Sequence, residues 1–213
     1  MREWTRTAAP ETEPITAAEL NTFLGTGFSV TGEGEEPSEA ETKLGPVIRE
    51  ARALAERWSG RSFLTQSWRL SMEARDAGGL GRVLKFLHGP VSAITVVGVV
   101  APGETDPEEP GEGEELPCAL REGRDEAVLK AGESWPVVTG EDLLVVAYDT
   151  GVEDAEDLDP DVVRLVKELA ALLWRHRGDG FVQGAESFLD NPDVAKLLAK
   201  FKGLQVDGLI LAS

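Results

Sequence analysis

Cysteine and histidine are almost missing from this chain: Cys118, His88 and His176 are all there are in 213 residues. A single cysteine excludes an intrachain disulfide framework, so nothing points to an oxidising compartment. With two histidines in unrelated contexts and no HExxH or CxxC spacing, there is no metal-ligand pattern. No run approaches the roughly 18 apolar residues of a membrane span. The opening residues, MREWTRTAAPETEP, lack the apolar core of a signal peptide, so the expectation is a chain made inside the cell with no membrane partner. Positive charge is scarce as well. The 21 Lys and Arg face 39 Asp and Glu, for a net charge of −18. A uniformly acidic protein does not grip phosphate backbones through basic patches. The charge keeps the chain soluble; in a sharper reading, it keeps the surface from sticking to nucleic acid that passes near it.

The usual chemical motifs are lacking too. Gly25-Thr26-Gly27 has no following Gly-Lys-Ser/Thr to hold phosphates, and Gly78-Gly79-Leu80-Gly81 misses the third-glycine spacing of a dinucleotide fingerprint. Both read as turns. Asp149–Asp159, DTGVEDAEDLD, has Asp154 where a calcium-binding loop of the EF-hand type needs glycine, and reads as a helix-capping acidic cluster. His176 reads as a helix-end residue, His88 as a turn residue before Gly89-Pro90, and Cys118 as a buried thiol opening a strand. No catalytic, cofactor-binding or metal-binding residue is assigned, and no cofactor is expected.

What the sequence does contain is amphipathic helix. In Leu158–Arg177, Asp159 is a natural N-cap and Pro160 fits the first helical position. Val162, Leu165, Val166, Leu169, Leu172, Leu173 and His176 follow at helical spacing. Acids crowd its start and Arg175 and Arg177 its end, matching the helix dipole, with Gly178 and Gly180 as the stop. Residues 159–177 make a rod of roughly 28 Å. A second helix is read over 46–58, with Val47, Ala51, Leu54, Ala55 and Trp58 as its stripe and Arg49, Glu50, Arg52, Glu56 and Arg57 as its wet face. A short helix, Ala17–Phe23, has Thr16 as N-cap, Glu19 in the capping-box position, and Leu20, Phe23 and Leu24 as its apolar face. Near the end, Asn191 caps and Pro192 starts a third amphipathic helix carrying Val194, Leu197, Leu198 and Phe201. The strand-like stretch LQVDGLILAS follows.

Between the helices the period falls to two. Strands are read at 63–72, 82–87, 94–100, 118–121, 127–130 and 143–148, with a turn at 76–81. Residues 1–13 read as disordered. The loops 25–41 and 101–117 are acidic; the second holds seven acids, four prolines and three glycines, a composition that buries no core. The expected fold class is α+β. It is mainly a helical bundle, with a small antiparallel β block inserted between the helices and a C-terminal helix plus extended arm. Residues 1–180 form one domain and 181–213 the appendage.

The order of motifs carries a resemblance. Pro14-Ile15-Thr16 opens a short helix; IREARALAERWSGRSFLTQSWRL runs from Ile48 to Leu70 and LKFLHGPVSAITVV from Leu84 to Val97. Then come Ser134-Trp135-Pro136, LLVVAYDTG from Leu143 to Gly151, and the helix Pro160–Arg177. Over residues 14–177 this resembles the head–tail connector (adaptor) proteins of long-tailed bacteriophages, found also in phage-derived gene transfer agents. The loops 25–41 and 101–117 are longer than that pattern, and the tail after Gly180 lies beyond its common core. The resemblance implies a structural protein of the virion neck with no enzymatic activity, made and assembled in the bacterial cytoplasm. It implies a homo-oligomeric, dodecameric ring that docks under the portal protein, completes the head after DNA packaging, and receives the stopper or tail-completion protein. DNA would pass through its channel without sequence-specific binding. The apolar tail has too little core of its own and needs a partner surface. Either it folds back onto its own domain, or, as the resemblance also implies, it is a partner-binding arm of Val194, Leu197, Leu198, Phe201, Leu204, Val206, Leu209, Ile210 and Leu211, hinged on Gly178, Gly180 and Gly184. Trp58, Leu165, Leu169, Leu173 and Trp174 are assigned to core or subunit packing. The alternative left open by composition is an acidic binding module that mimics nucleic acid or occupies a basic partner.

Overall fold

The computed structural model describes residues 2–32, 36–101, 104, 115–121, 124–177 and 191–202. In chain order the elements are β1 (Arg2–Ala8), α1 (Ala17–Leu24), α2 (Glu39–Ser59), β2 (Gln66–Glu73), α3 (Ala74–Ala77), β3 (Val83–Lys85), β4 (Val91–Val100), β5 (Cys118–Leu120), β6 (Glu126–Leu129), β7 (Leu143–Thr150), a 3-10 turn at Ala155–Asp157, α4 (Pro160–His176) and α5 (Pro192–Lys202). The fold is α+β, with five helices and two antiparallel sheets among the described residues. The strands fill a unit of their own and are not a small block within a helical bundle. The chain divides into two compact units, Met1–Glu11 with Ser62–Glu153 and Thr12–Arg61 with Asp154–Ser213; residue 180 lies outside the described residues.

The helical unit holds α1, α2, α4 and α5. Thr16 caps α1, and Thr16 and Glu19 form both halves of the capping box. Phe23, expected on the apolar face, is 47% exposed, and Asn21 is buried in its stead. The Asn21 amide donates to Phe28 O at 3.0 Å and its carbonyl accepts from Phe28 N at 3.1 Å, so the polar group enters the interior fully bonded. The second helix begins at residue 39 rather than 46. Its N-cap is Ser38, in a capping box with Glu41, and Pro46 lies inside the helix. Pro46 favours a first-turn position on propensity alone. Here the capping box upstream and the burial of Ala40 and Leu44 carry the helix past it, with one backbone hydrogen bond forgone.

The stripe of α2 is Leu44, Ile48, Ala51, Leu54 and Ala55, and Val47 is only half-buried. Arg52 and Glu56, expected on the wet face, are 5% and 8% exposed. The Arg52 Nε donates to Glu13 Oε2 and its Nη1 to Glu56 Oε2, both at 2.8 Å. Burial alone would lower the guanidinium's pKa. The hydrogen bond to Glu13 and the charges of Glu56 and Glu13 outweigh that and hold it above its ordinary range. In α4 the Asp159 side chain accepts from Asp161 N, and Val162, Leu165, Val166, Leu169, Ala170 and Ala171 are buried. Helices α2 and α4 pack on each other as the two stripes require, and α5 packs on both.

The sheet unit holds a four-stranded sheet, β1-β2-β7-β4, and a three-stranded sheet, β3-β6-β5. Residues 1–13, expected to be disordered, supply β1. Its residues run antiparallel to β2 from Arg2 opposite Met72 to Ala8 opposite Ser67. Only Trp4 is even half-buried, so backbone pairing and not side-chain alternation holds this strand. Across the larger sheet, Trp4, Leu70, Val146 and Val97 share one row, and Trp68, Tyr148 and Ile94 another. Leu70, Met72, Leu144, Val146 and Tyr148 enter one core with Leu84, Phe86, Ala127 and Trp135. The turn at 76–81 begins inside α3. Gly151, at φ +86°, lets the chain pass hard against the Leu64 backbone, where a Cβ has no room.

Candidate functional site

Among the described residues, the groups singled out in the sequence fall as follows. Cys118 is 4% exposed at the start of β5, and burial pushes its thiol pKa up. His88 stands at φ +63° before the cis Gly89-Pro90 bond, as a turn residue. Its ring stacks on Trp68, with centroids 3.8 Å apart and planes 7° apart. Burial, with a smaller push from the Arg6 charge, lowers its pKa to about 4, so it is neutral at physiological pH. The Tyr148 hydroxyl donates to Leu87 O at 3.0 Å, and burial raises its pKa well above the ordinary range. Asp149 accepts from the Ser67 hydroxyl at 2.6 Å, and Asp125 accepts from Val91 N at 2.9 Å. His176 is an exposed residue of the last turn of α4. Among the described residues no group of three His, Cys, Asp or Glu is placed to hold a metal, and no helix is long and apolar enough to cross a membrane.

The helical unit also carries a cluster of aromatic rings and cations. Trp174, assigned to core or subunit packing, is half-buried. Phe28 meets it edge-on, with centroids 5.6 Å apart at 81°, and the Arg177 guanidinium lies over its face. Lys43 Nζ stands 4.3 Å from the Phe28 centroid. These contacts set cations against aromatic faces within the helical unit of a chain of charge −18. Phe28, Lys43 and Trp174 are far apart in sequence, and no local pattern announced them. Trp58 and Leu173 are half-buried, whereas Leu165 and Leu169 are fully buried.

In α5, Asn191 Oδ1 accepts from Asp193 N at 3.0 Å as an N-cap. Val194, Leu197, Leu198 and Phe201 are 0%, 5%, 1% and 5% exposed, turned into the helical unit. A hydrogen bond from Lys200 to Asp161 joins α5 to the first turn of α4. This helix belongs to the chain's own core, which leaves the arm reading to Leu204, Val206, Leu209, Ile210 and Leu211. Those five lie outside the described residues, as do the hinge glycines 178, 180 and 184 and most of the acidic loop 101–117.

Among the described residues the larger sheet has two unpaired edges: there β1 bonds only to β2, and β4 only to β7. β4 reads VSAITVVGVV, ten residues with no charge and no proline. β5 comes near it without pairing. Where the sheet ends, core side chains come out half-covered: Trp4 at one edge, Ile94 and Val97 at the other, with Val99 38% exposed.

No protein-family model and no curated protein matches the chain. Solved structures share its fold. A chain from the virion of a native gene transfer agent particle matches with a TM-score of 0.68 at 20% identity, over 96% of this chain and 97% of that one. A chain from the neck of an empty gene transfer agent particle, computed with C6 symmetry, matches at 0.68 and 19%, over 97% and 98%. Another from the neck of the native particle, computed with C12 symmetry, matches at 0.66 and 20%, over 97% and 98%. In each case the likeness covers nearly the full length of both chains.

Proposed function

We propose that this protein is a structural component of a virion neck, a ring-forming adaptor between portal and tail or stopper. The observation that carries the reading is the end-to-end fold likeness to neck chains of gene transfer agent particles, some imaged with sixfold or twelvefold symmetry. The ordered motifs of residues 14–177 point the same way. In this reading the ring completes the filled head and gives DNA its exit channel. The net charge of −18 keeps the channel wall from holding DNA by its phosphates. The apolar residues Leu204, Val206, Leu209, Ile210 and Leu211 are the arm that joins the portal, because strand addition supplies affinity through the backbone and specificity through alternate side chains.

The test is imaging of purified particles in which this protein carries a label, beside particles lacking it. Label at the head–tail junction, with filled but tailless heads when the gene is deleted, is the expected result. Label elsewhere, or normal tails without the protein, overturns the reading. A stable monomer that captures a basic protein would favour the acidic binding module instead. For the arm, the cut belongs after Lys202, since an earlier one removes α5 from the core. The shortened chain should fold yet be absent from particles.

A further inference from the structure

We infer that the ring closes through the sheet unit, with the free edge of β4 in one copy pairing antiparallel with the free edge of β1 in the next. The inference rests on the ring reading above and names the surface that makes it. A cyclic ring needs a heterologous contact, in which each copy presents two different patches. The sheet β1-β2-β7-β4 has two different edges, and every pairing inside it is antiparallel. With four alternating strands, β1 and β4 run in opposite directions. Rotation about a ring axis preserves strand direction, so β4 of one copy meets β1 of the next antiparallel, as the rest of the sheet already runs. An odd number of strands would have forced a parallel seam.

The side chains agree with this seam. β4 carries none of the charges or prolines that protect an exposed edge, and its bulges lie in its first half, between Val91 and Ala93 and between Ile94 and Val96. The continuous run Val96–Val100 is left for a partner. A register that keeps inner faces together sets Trp4 of the next copy against Val97 or Val99. That covers the half-exposed side chains at both ends of the core in one contact. The antiparallel direction also brings Arg2, at the start of β1, beside the chain leaving β4, where Glu104 is exposed. At about 4.8 Å per strand each copy adds about 19 Å of sheet, so twelve copies make a belt about 230 Å around.

The test is disulfide trapping in the full-length chain. Thr5, on the outer face of β1, should lie opposite Val96 or Gly98 of the neighbour, so two double variants cover both registers: Thr5→Cys with Val96→Cys, and Thr5→Cys with Gly98→Cys. Under mild oxidation one of them should give a ladder of linked dimers, trimers and larger species on non-reducing gels. Each single variant should stay at the wild-type background. Linked dimers from Val96→Cys or Gly98→Cys alone would mean that β4 pairs with itself, and would overturn the inference. So would the absence of a ladder from both double variants. A second variant, Val99→Lys, places a charge on the edge at an exposed position. It should keep the wild-type circular dichroism and lose the ladder when added to the double variant; an undiminished ladder overturns the seam. The two readings fail separately. A ring at the neck with no ladder sinks the edge pairing and leaves the adaptor, whereas a ladder with no label at the neck does the reverse.

Discussion

Replacing Arg52 with alanine tests whether the buried ion cluster of the helical unit holds the fold. The Arg52 side chain is 6% exposed, Glu13 21% and Glu56 10%. One guanidinium serves both carboxylates, with two contacts at 2.8 Å and a further one to Glu13 Oε1 at 3.3 Å. Removing one partner of a buried ion pair costs about 3–5 kcal/mol, because the opposite charge stays behind in a poor solvent. Two carboxylates would stay behind here and repel each other, which argues for the upper part of that range. Glu13 is partly exposed and can swing toward water, which pulls the figure back to about 3 kcal/mol. Urea unfolding followed by the helical circular dichroism signal reads this directly, with the midpoint falling at unchanged slope. The triple variant Arg52→Met, Glu13→Gln, Glu56→Gln removes every charge while keeping the volume, and should lie within about 1 kcal/mol of wild type. If Arg52→Ala costs less than about 1 kcal/mol, or the triple variant is the worse of the two, the cluster does not stabilise the unit as argued.

Leu169→Asp sets an unpaired charge at a position with no exposure, and should abolish the cooperative melting of the helical unit; unchanged melting would remove Leu169 from the core. Ser38→Ala deletes the cap that starts α2 seven residues before Pro46, and should cost about 1 kcal/mol in urea unfolding. His88, with its folded pKa lowered from 6.5 to about 4, binds its proton more readily unfolded. Its contribution is therefore fully present above pH 6.5 and is lost as the pH falls toward 4. His88→Asn tolerates the left-handed backbone and does not titrate. Its urea midpoint should vary less than wild type across that window, and an equal dependence would sink the assignment.

The parts legible in the sequence were those whose signal is local. Asp159-Pro160 and Asn191-Pro192 announce helix starts because cap and first turn are neighbours in the chain. β4 and β7 show as β-branched runs. Arg52 and Glu56 look like a wet face because their spacing is that of exposed residues. Inside, Arg52 bonds both to Glu56 and to Glu13, 39 positions away, and no window on the helix contains Glu13. β1 failed for a related reason: its strand character comes from β2, some sixty residues later, and its own residues bury almost nothing. Asn21 reads as polar surface until its two bonds to Phe28 are known. For the candidate site, periodicity found the apolar face of α5 and left its destination open; that it turns into its own unit depends on α2 and α4. The sheet edges required the strand order, which no single stretch encodes.

The interleaving of the two units has a consequence for synthesis. The helical unit begins with Thr12–Arg61 and is not resumed until Asp154, after the strands of the other unit have been made. At about 5–20 residues per second, roughly ninety intervening residues take ~5–20 s to appear. For that interval α1 and α2 exist without α4, which packs on both in the finished unit. The sheet unit, by contrast, has its last strand once Thr150 has emerged. The nascent chain should therefore complete its sheet unit, β1 included, before its helical unit, with α1 and α2 waiting on the ribosome until α4 arrives.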